Sequence, residues 1–358
     1  MIDQDKITLD WISKVSARNR NADKILVEKV IRAFLLLEGL VKTGLPFVFK
    51  GGTALMLHFQ SAKRLSIDID IILPGSSANL EDILDEVAQQ QGFLRKEIQH
   101  RATSSTIKKE HYKFFYTPIH KSNKEEENVL LDILFEKVIY SKLIKMPIQT
   151  SFLPDDSEAL SVDVPSLEDI LGDKLTAFAP NTTGIPYFKK EDSMSMEIIK
   201  QLYDIGNLSD LVTDAETIKS TFRKFAVTEL TYREKGSLSV EDVLDDIYQT
   251  ALCIVTRGSE GKGDFAQLQA GIQRISGFIF SEGYHIEKAI THASKAAWLA
   301  TLIKCDASSI DQYTDPKQIK DWKIEAPGNP KLNRLKKSNP EAFFFWYRIF
   351  EMIKNKGL

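Results

Sequence analysis

The stretch FVFKGGTALMLHFQSAKRLSIDIDIILP, residues 47–74, places a glycine pair shortly before two aspartates. Its first part, Phe47–Lys50, is aromatic and β-branched and predicts a short strand. Gly51 and Gly52 then predict a turn that a ligand can approach closely, because no Cβ intervenes. Thr53–Phe59 predicts a helix, whose free N–H groups and positive dipole end favour an anion over the glycines. The alternative is that the glycines form only a tight turn.

The second part of this stretch, Ser66–Leu73, alternates in polarity as a strand does. Apolar residues at every second position from Ile67 share one face, whereas Asp68 and Asp70 share the other, about 7 Å apart. Like charges at that separation repel, and a cation between them removes the repulsion. Hard carboxylate oxygens suit Mg²⁺, or Mn²⁺ in its place. The alternative is a solvent-facing strand with incidental acids.

A third acid, Asp132, is the only charged residue of the strand-like run Val129–Phe135. Charged residues are seldom fully buried without a partner. We therefore expect this strand to lie beside Asp68 and Asp70, where Asp132 would act as a metal ligand or general base. An acid facing water at a strand edge is the alternative.

The strings GGTAL (51–55) and RLSIDID (64–70), followed by a lone acid on a later strand, resemble the polymerase-β-type nucleotidyltransferase superfamily. More narrowly, they resemble the AbiEii/AbiGii toxin family, which comprises nucleotidyltransferases of type IV toxin–antitoxin and abortive-infection systems. The resemblance is specific over residues 47–74 and looser as far as Asp204. We recognise no family signature after about Leu208.

The resemblance implies that the glycine motif and the aspartate pair bind a nucleoside triphosphate and metal. In that family a helical lysine and an acid in a tyrosine–aspartate–aliphatic string complete the site. The predicted nucleotide-binding residues are Gly51, Gly52, Thr53, Arg64, Ser66 and Lys174. The predicted catalytic residues are Asp68, Asp70, Asp132, Lys174 and Asp204, and the predicted metal ligands are Asp68, Asp70 and Asp132.

Lys174 and Asp204 are the candidates for the two later motifs. Lys174 borders the apolar face of a predicted helix, so it either snorkels to solvent or points into a cleft. The resemblance favours the cleft, where the ammonium would meet triphosphate oxygens. Asp204 lies at the edge of a helix predicted over Met196–Leu208. An ordinary solvated acid is the alternative for Asp204.

Arg64 and Ser66 fall inside the aspartate motif. The guanidinium of Arg64 suits either a phosphate or a neighbouring acid. Ser66 shares a face with the aspartates and is expected to line the same site. Either residue could equally serve local structure.

Composition describes an ordinary soluble protein of 358 residues, 43% hydrophobic and 27% charged. Cys253 and Cys305 are far apart and have no metal or redox spacing, as expected in a reducing cytoplasm. We find no membrane-spanning run and no signal-peptide pattern, which predicts a cytoplasmic location without a membrane partner.

The net charge of −3 gives no general argument for nucleic-acid binding. Basic stretches at 95–113 and 331–337 either contact RNA phosphates or are solvated faces.

The distribution of these patterns predicts an α+β chain. An N-terminal α/β catalytic half is expected, and the resemblance implies that residues 1–164 form a polymerase-β-like nucleotidyltransferase domain with a small mixed sheet. A mostly helical domain is expected over residues 165–358, contributing Lys174 and Asp204 to a cleft. Residues 180–190 are too rich in helix breakers for regular structure and predict a substrate-facing loop or a linker. Helices are predicted over Val240–Val255, Phe265–Phe280, Ile286–Ile303 and Pro340–Lys354. The last carries an aromatic cluster expected to be core, with a partner-binding surface as the alternative for part of it.

The leading functional hypothesis is a metal-dependent nucleotidyltransferase that moves a nucleoside monophosphate onto an acceptor hydroxyl. The resemblance implies a growth-arresting toxin with a cognate antitoxin, and it makes RNA, particularly a tRNA 3′ end, the expected acceptor. Protein and small-molecule acceptors stay open. A non-catalytic nucleotide-binding module is the alternative from another class, although the three intact aspartates argue against it.

Overall fold

The computed structural model describes residues 1–59, 63–75, 79–99, 108–120, 124–154, 158–233, 235–325 and 328–357. Arg101, in the basic stretch noted above, lies outside these residues. The chain divides into two compact units. The first unit is Met1–Ser166 with Gly277–Gly283, and the second unit is Leu167–Ser276 with Tyr284–Leu358. The predicted domains, 1–164 and 165–358, stay a prediction.

The first unit is built on a five-stranded sheet with strand order β1-β2-β5-β4-β3. Strands β2 and β5 are parallel, and the other neighbours are antiparallel. Strands β6 and β7 form a separate antiparallel pair. The strands are β1 (Val48–Lys50), β2 (Asp68–Ile72), β3 (Arg95–Ile98), β4 (Lys109–Tyr116), β5 (Glu127–Leu134), β6 (Leu143–Pro147) and β7 (Ser161–Pro165). The helices are α1 (Leu9–Arg18), α2 (Lys24–Lys42), α3 (Gly51–His58) and α4 (Leu80–Gln90).

Helix α2 packs against strands β2 and β5 and covers one face of the sheet. The helix begins after Asp23, whose carboxylate accepts hydrogen bonds from the N–H groups of Ile25 and Leu26, as an N-cap residue does. The covered face is apolar, with Ile69 and Leu131 among its fully buried residues. Because side chains alternate along a strand, Asp68, Asp70 and Asp132 lie on the opposite face.

The second unit is helical apart from a small hairpin. Its helices are α5 (Leu167–Ala177), α6 (Ser195–Leu208), α7 (Ala215–Tyr232), α8 (Val240–Val255), α9 (Phe265–Arg274), α10 (Ile286–Lys304), α11 (Leu335–Ser338) and α12 (Pro340–Lys356), and its strands are β8 (Phe188–Lys189) and β9 (Asp192–Ser193). Four consecutive aromatic residues of α12, Phe343–Trp346, are buried, which confirms them as core. The predicted α+β class, with a small mixed sheet and a helical C-terminal region, is confirmed.

The helix predicted over Phe265–Phe280 is wrong at its C-terminal end. It ends at Arg274, and a single 3₁₀ turn follows. The next segment, Gly277–Gly283, belongs to the first unit, where Ile279 forms an isolated antiparallel bridge with Arg64. A helical backbone could not supply that bridge, so tertiary pairing overrides the local pattern.

The breaker-rich segment 180–190 is fixed to helix α8 by Asp246. This carboxylate accepts the backbone N–H groups of Asn181 and Thr182, each at 2.9 Å, together with both of their side chains. Burial raises the pKa of Asp246, and these hydrogen bonds act in the opposite direction. The expectation that the segment lacks all regular structure is wrong at its end, because Phe188–Lys189 pairs with Asp192–Ser193.

Candidate active site

Gly51 lies where strand β1 passes directly into helix α3. Its φ of +83° falls in the left-handed region that residues with a side chain rarely adopt. A Cβ at this position would overlap Oδ2 of Asp70. The missing side chain therefore lets the Asp70 carboxylate lie directly against the backbone of the turn.

Gly52 makes a second close approach possible, this time to Arg64 and Ser66. A Cβ on Gly52 would lie 2.6 Å from Nη2 of Arg64 and 2.7 Å from Oγ of Ser66. Arg64 is only 7% exposed, and its Nη1 donates to the carbonyl oxygen of Leu65 at 3.0 Å. The two residues that the sequence placed inside the aspartate motif thus converge on the glycine turn.

Thr53 fastens the start of helix α3 to the start of strand β2. Its buried hydroxyl donates to the carbonyl oxygen of Asp68 at 2.5 Å. Lys50, at the N-cap position, carries only donors and cannot satisfy the first N–H groups of the helix with its side chain. The turn therefore combines a positive helix end with the buried guanidinium of Arg64, which together favour an anion.

Four polar residues form a row across the sheet on the face opposite helix α2. Lys50 pairs in register with Asp70, Asp70 with Asp132, and Asp132 with His111. Side chains at paired positions point to the same face and lie about 5 Å apart at Cβ. The prediction that the Asp132 strand lies beside the aspartate pair is confirmed. We call these four residues the acid row.

His111 was not among the residues predicted from the sequence. Its Nδ1 lies 2.7 Å from Oδ1 of Asp132, and the two side chains are 13% and 33% exposed. Asp132 is therefore not simply an acid facing water. The signal for His111 is the alternation in Lys109–Tyr116, where Tyr112, Phe114 and Tyr116 are buried and His111 falls on the other face. Its contact with Asp132 depends on strand register, which that pattern does not give.

The Asp68–Asp70 pair of strand β2 suits a magnesium ion that substrate phosphates help to hold. Within the described ranges, no three Asp, Glu, His or Cys side chains are arranged to hold a metal ion. Asp68 and Asp70 nevertheless share a face beside the glycine turn. Mg²⁺ is commonly bound by one or two carboxylates together with substrate phosphates, so this pair fits it without a closed cage. The role of Asp132 as a metal ligand stays a prediction.

Lys174 and Asp204 form an ion pair inside the second unit. Lys174 Nζ lies 2.8 Å from Oδ2 of Asp204 and donates to Oε1 of Gln201 at 3.1 Å. The Lys174 side chain is 8% exposed and that of Asp204 is 4% exposed. Neither the snorkelling lysine nor the solvated acid, both left open by the sequence, describes these residues. Their assignment to the active site stays a prediction.

An aromatic group flanks this ion pair in the second unit. Tyr203, next to Asp204 in the chain, packs edge-on against Tyr284 with ring centroids 5.1 Å apart and contacts His292 at 5.6 Å. Burial holds the pKa of His292 well below its usual value, and Lys295 acts in the same direction. His292 is therefore neutral at pH 7 and packs as an uncharged ring.

A model of the family described as nucleotidyl transferase AbiEii toxin, type IV TA system, matches residues 35–292. The match spans the glycine turn, the acid row and the Lys174–Asp204 pair, and the chain is therefore a nucleotidyltransferase. It belongs to the AbiEii toxin family of type IV toxin–antitoxin systems. The predicted family and the predicted enzyme class are confirmed, and the hypothesis of a non-catalytic module is not supported.

Two crystal structures from Helicobacter pylori are distantly similar to this chain. The first, of JHP933, has 17% identity and a TM-score of 0.40, with coverage of 77% of this chain and 89% of that chain. The second, provisionally described as a nucleotidyltransferase, has 18% identity and a TM-score of 0.41, with coverage of 80% and 97%. These similarities are too distant to transfer residue roles. Comparison with curated proteins found no match.

The family also implies a cognate antitoxin, as predicted from the resemblance. No helix in the described part of the chain is long and apolar enough to cross a bilayer.

Proposed function

We propose that this chain transfers a nucleoside monophosphate from a nucleoside triphosphate to an acceptor hydroxyl, and that Mg²⁺ or Mn²⁺ is required. The observation that carries this proposal is the contact between the Gly51 backbone and the Asp70 carboxylate, within a row that also contains Asp132. It supports the proposal of a phosphate site at the glycine turn, beside carboxylates that suit a cation.

The glycine turn is the proposed triphosphate site. The first N–H groups of helix α3 and the guanidinium of Arg64 supply positive charge there, and the Ser66 hydroxyl adds a donor. Thr53 is proposed to act mainly by holding the turn against strand β2, through its bond to Asp68. These residues bind the phosphates and orient the α-phosphorus, which is the larger part of catalysis in transfers of this kind.

Asp68 and Asp70 would hold the metal through carboxylate oxygens on one face of strand β2. When bound, the metal supplies positive charge to the reacting phosphoryl group and to the departing pyrophosphate. In the step itself, the acceptor oxygen bonds to the α-phosphorus while the bond to the bridging oxygen breaks and pyrophosphate leaves. Asp132, next to Asp70 in register, takes the proton of the acceptor hydroxyl.

Lys174 and Asp204 are proposed to act as a unit. The resemblance assigns to Lys174 the neutralisation of triphosphate charge. The ion pair with Asp204 holds the buried ammonium in one place and supplies its counter-charge, since an unpaired buried charge is costly.

For the acceptor we propose RNA, and specifically the 3′ hydroxyl of a tRNA, in the cytoplasm. This choice follows from the toxin family and the resemblance, since growth arrest needs a cellular target. A protein or small-molecule hydroxyl would use the same residues. The cognate antitoxin is the expected protein partner.

The test is incubation with each of the four triphosphates labelled at the α-phosphorus, together with Mg²⁺ and either total RNA or whole-cell lysate. Label in an RNA band, lost in Asp70→Asn and on chelation, is the expected result. Label in protein or in small molecules would keep the transfer but overturn the RNA acceptor. Tight nucleotide binding without transfer to any acceptor would contradict the proposed reaction.

A further inference from the structure

His111 contacts the proposed base, Asp132, and has no part in the reaction described so far. Its Nδ1 lies 2.7 Å from Oδ1 of Asp132. A carboxylate oxygen accepts hydrogen bonds, so we assign the hydrogen to Nδ1, which donates it to Oδ1. The contact therefore specifies both the orientation of the imidazole and the protonated ring nitrogen.

The surrounding sheet holds this pair in place. His111 and Asp132 are the third pair of register partners in an eight-pair ladder between β4 and β5. On the buried side of the same strands, Tyr112 and Leu131 are almost completely covered. The imidazole is 13% exposed and the carboxylate 33% exposed. The His111 ring is therefore mostly buried, whereas the Asp132 carboxylate is accessible to a substrate. With Oδ1 engaged by His111, Oδ2 is the oxygen left for a reacting group.

We propose that His111 is a positioning residue for nucleotidyl transfer. Its Nδ1–H holds Oδ1 of Asp132, so that Oδ2 takes the proton of the acceptor hydroxyl as its oxygen bonds to the α-phosphorus and pyrophosphate leaves. His111 keeps its own hydrogen throughout. The inference rests on the proposed function, because Asp132 serves as a base only if transfer occurs at the acid row.

Two amide substitutions at position 111 separate positioning from general support of the fold. His111→Asn puts an amide N–H close to the place of Nδ1, whereas His111→Gln carries its amide farther out. We expect His111→Ala and His111→Gln to lower kcat by about 10- to 100-fold with KM for the triphosphate unchanged, and His111→Asn to recover most of the rate. Equal rates for the Asn and Gln variants, or an unchanged kcat in the Ala variant, would overturn the inference.

A double variant tests whether His111 acts through Asp132. In the Asp132→Asn background, His111→Ala should cost nothing further, because the group that it orients is already disabled. Independent, multiplicative losses would contradict the assignment. Lys113→Ala is the matched control, since Lys113 lies two residues along the same face of β4 and pairs with Leu130. It should leave kcat and the melting temperature of the protein unchanged.

The contact is also testable without turnover. In protein carrying isotope-labelled histidine, NMR of the six histidines should show His111 with its hydrogen on Nδ1, and Asp132→Leu should abolish that signal. A His111 hydrogen found on Nε2 alone would overturn the inference even if transfer occurs. Wild-type protein that shows the Nδ1–H signal but labels no acceptor would instead contradict the proposed function.

Discussion

Asp70 and Asp204 are both predicted catalytic acids, but the two units hold them in opposite ways. Asp70 is half-buried, pressed against a glycine backbone and in register with a second acid. Asp204 is 3% exposed and lies 2.8 Å from the ammonium of Lys174. Asp70 lies beside the glycine turn, where phosphate and metal are proposed to bind, whereas Asp204 is buried with the ammonium of Lys174 as its counter-charge. Substitution of Asp70 should therefore affect chemistry, and substitution of Asp204 should also affect folding.

The largest expected effect is the loss of nucleotidyl-transfer rate caused by the substitution Asp70→Asn. Loss of the carboxylate should lower the rate of label transfer by at least about 10³-fold, roughly 4 kcal/mol of activation free energy, because charge at the reacting phosphoryl is no longer stabilised. The melting temperature should not fall. Asp163→Asn, the same change in strand β7, should leave the rate as it was. A similar loss in both variants would show that the acid row has no special role.

Asp204→Ala should lower the free energy of unfolding by about 3–5 kcal/mol, because it leaves the ammonium of Lys174 buried without a counter-charge. Denaturant titration followed by circular dichroism measures this. The double variant Lys174→Met/Asp204→Leu removes both charges and should regain most of the stability, because well-packed apolar residues often replace a buried ion pair without loss. A single variant as stable as the wild type would refute the contrast between Asp70 and Asp204.

Gly51→Ala should lower transfer about 10- to 100-fold, because the added Cβ displaces the Asp70 carboxylate. It should also cost about 1–2 kcal/mol of stability, since φ at this position is +83°. Gly44→Ala is the matched control: φ is +72° there, but nothing lies within 4 Å of the added Cβ. Both variants should lose stability, and only Gly51→Ala should lose activity. Equal transfer rates in the two would mean that the contact with Asp70 does not matter.

The smallest expected effect concerns pH and the second unit. His292 has a folded-state pKa well below its usual value near 6.5 because of burial. Below about pH 6.5 the unfolded chain takes up a proton that the folded chain does not, so the free energy of unfolding falls with pH by up to about 1.4 kcal/mol per unit. His292 Nδ1 has no hydrogen-bond partner among the described residues, so His292→Phe removes no hydrogen bond from that nitrogen. Unfolding titrations between pH 7 and 5 should show a shallower decline for this variant, and parallel declines would contradict the account.

Much of the first unit was predictable because its determinants are local. Alternation around Asp68 and Asp70 sets which face is buried, and the glycines set the turn, so the strand and helix positions hold to within a few residues. The place of Asp132 followed from one charge in an apolar run. His111 was not predictable, because its contact depends on the register of two strands whose paired residues are 21 positions apart.

In the second unit, two features depend on contacts between distant residues and cannot be predicted from local sequence patterns. Asp204 looks like a surface acid in its own helix, and only Lys174, on another helix, explains its burial. The end of helix α9 at Arg274 likewise depends on a bridge between Arg64 and Ile279, more than 200 residues apart in the chain. Neither the burial of Asp204 nor the end of helix α9 is indicated by the residues that surround it in the sequence.

The most direct test of the central claim is to follow the fate of two labels in one triphosphate, one at the α-phosphorus and one at the γ-phosphorus. The account predicts that the α-label appears on the acceptor and the γ-label in pyrophosphate, in equal amounts, and that both signals vanish in Asp70→Asn. Transfer of the γ-label to the acceptor, or undiminished transfer of the α-label by Asp70→Asn, would contradict nucleotidyl transfer at the acid row.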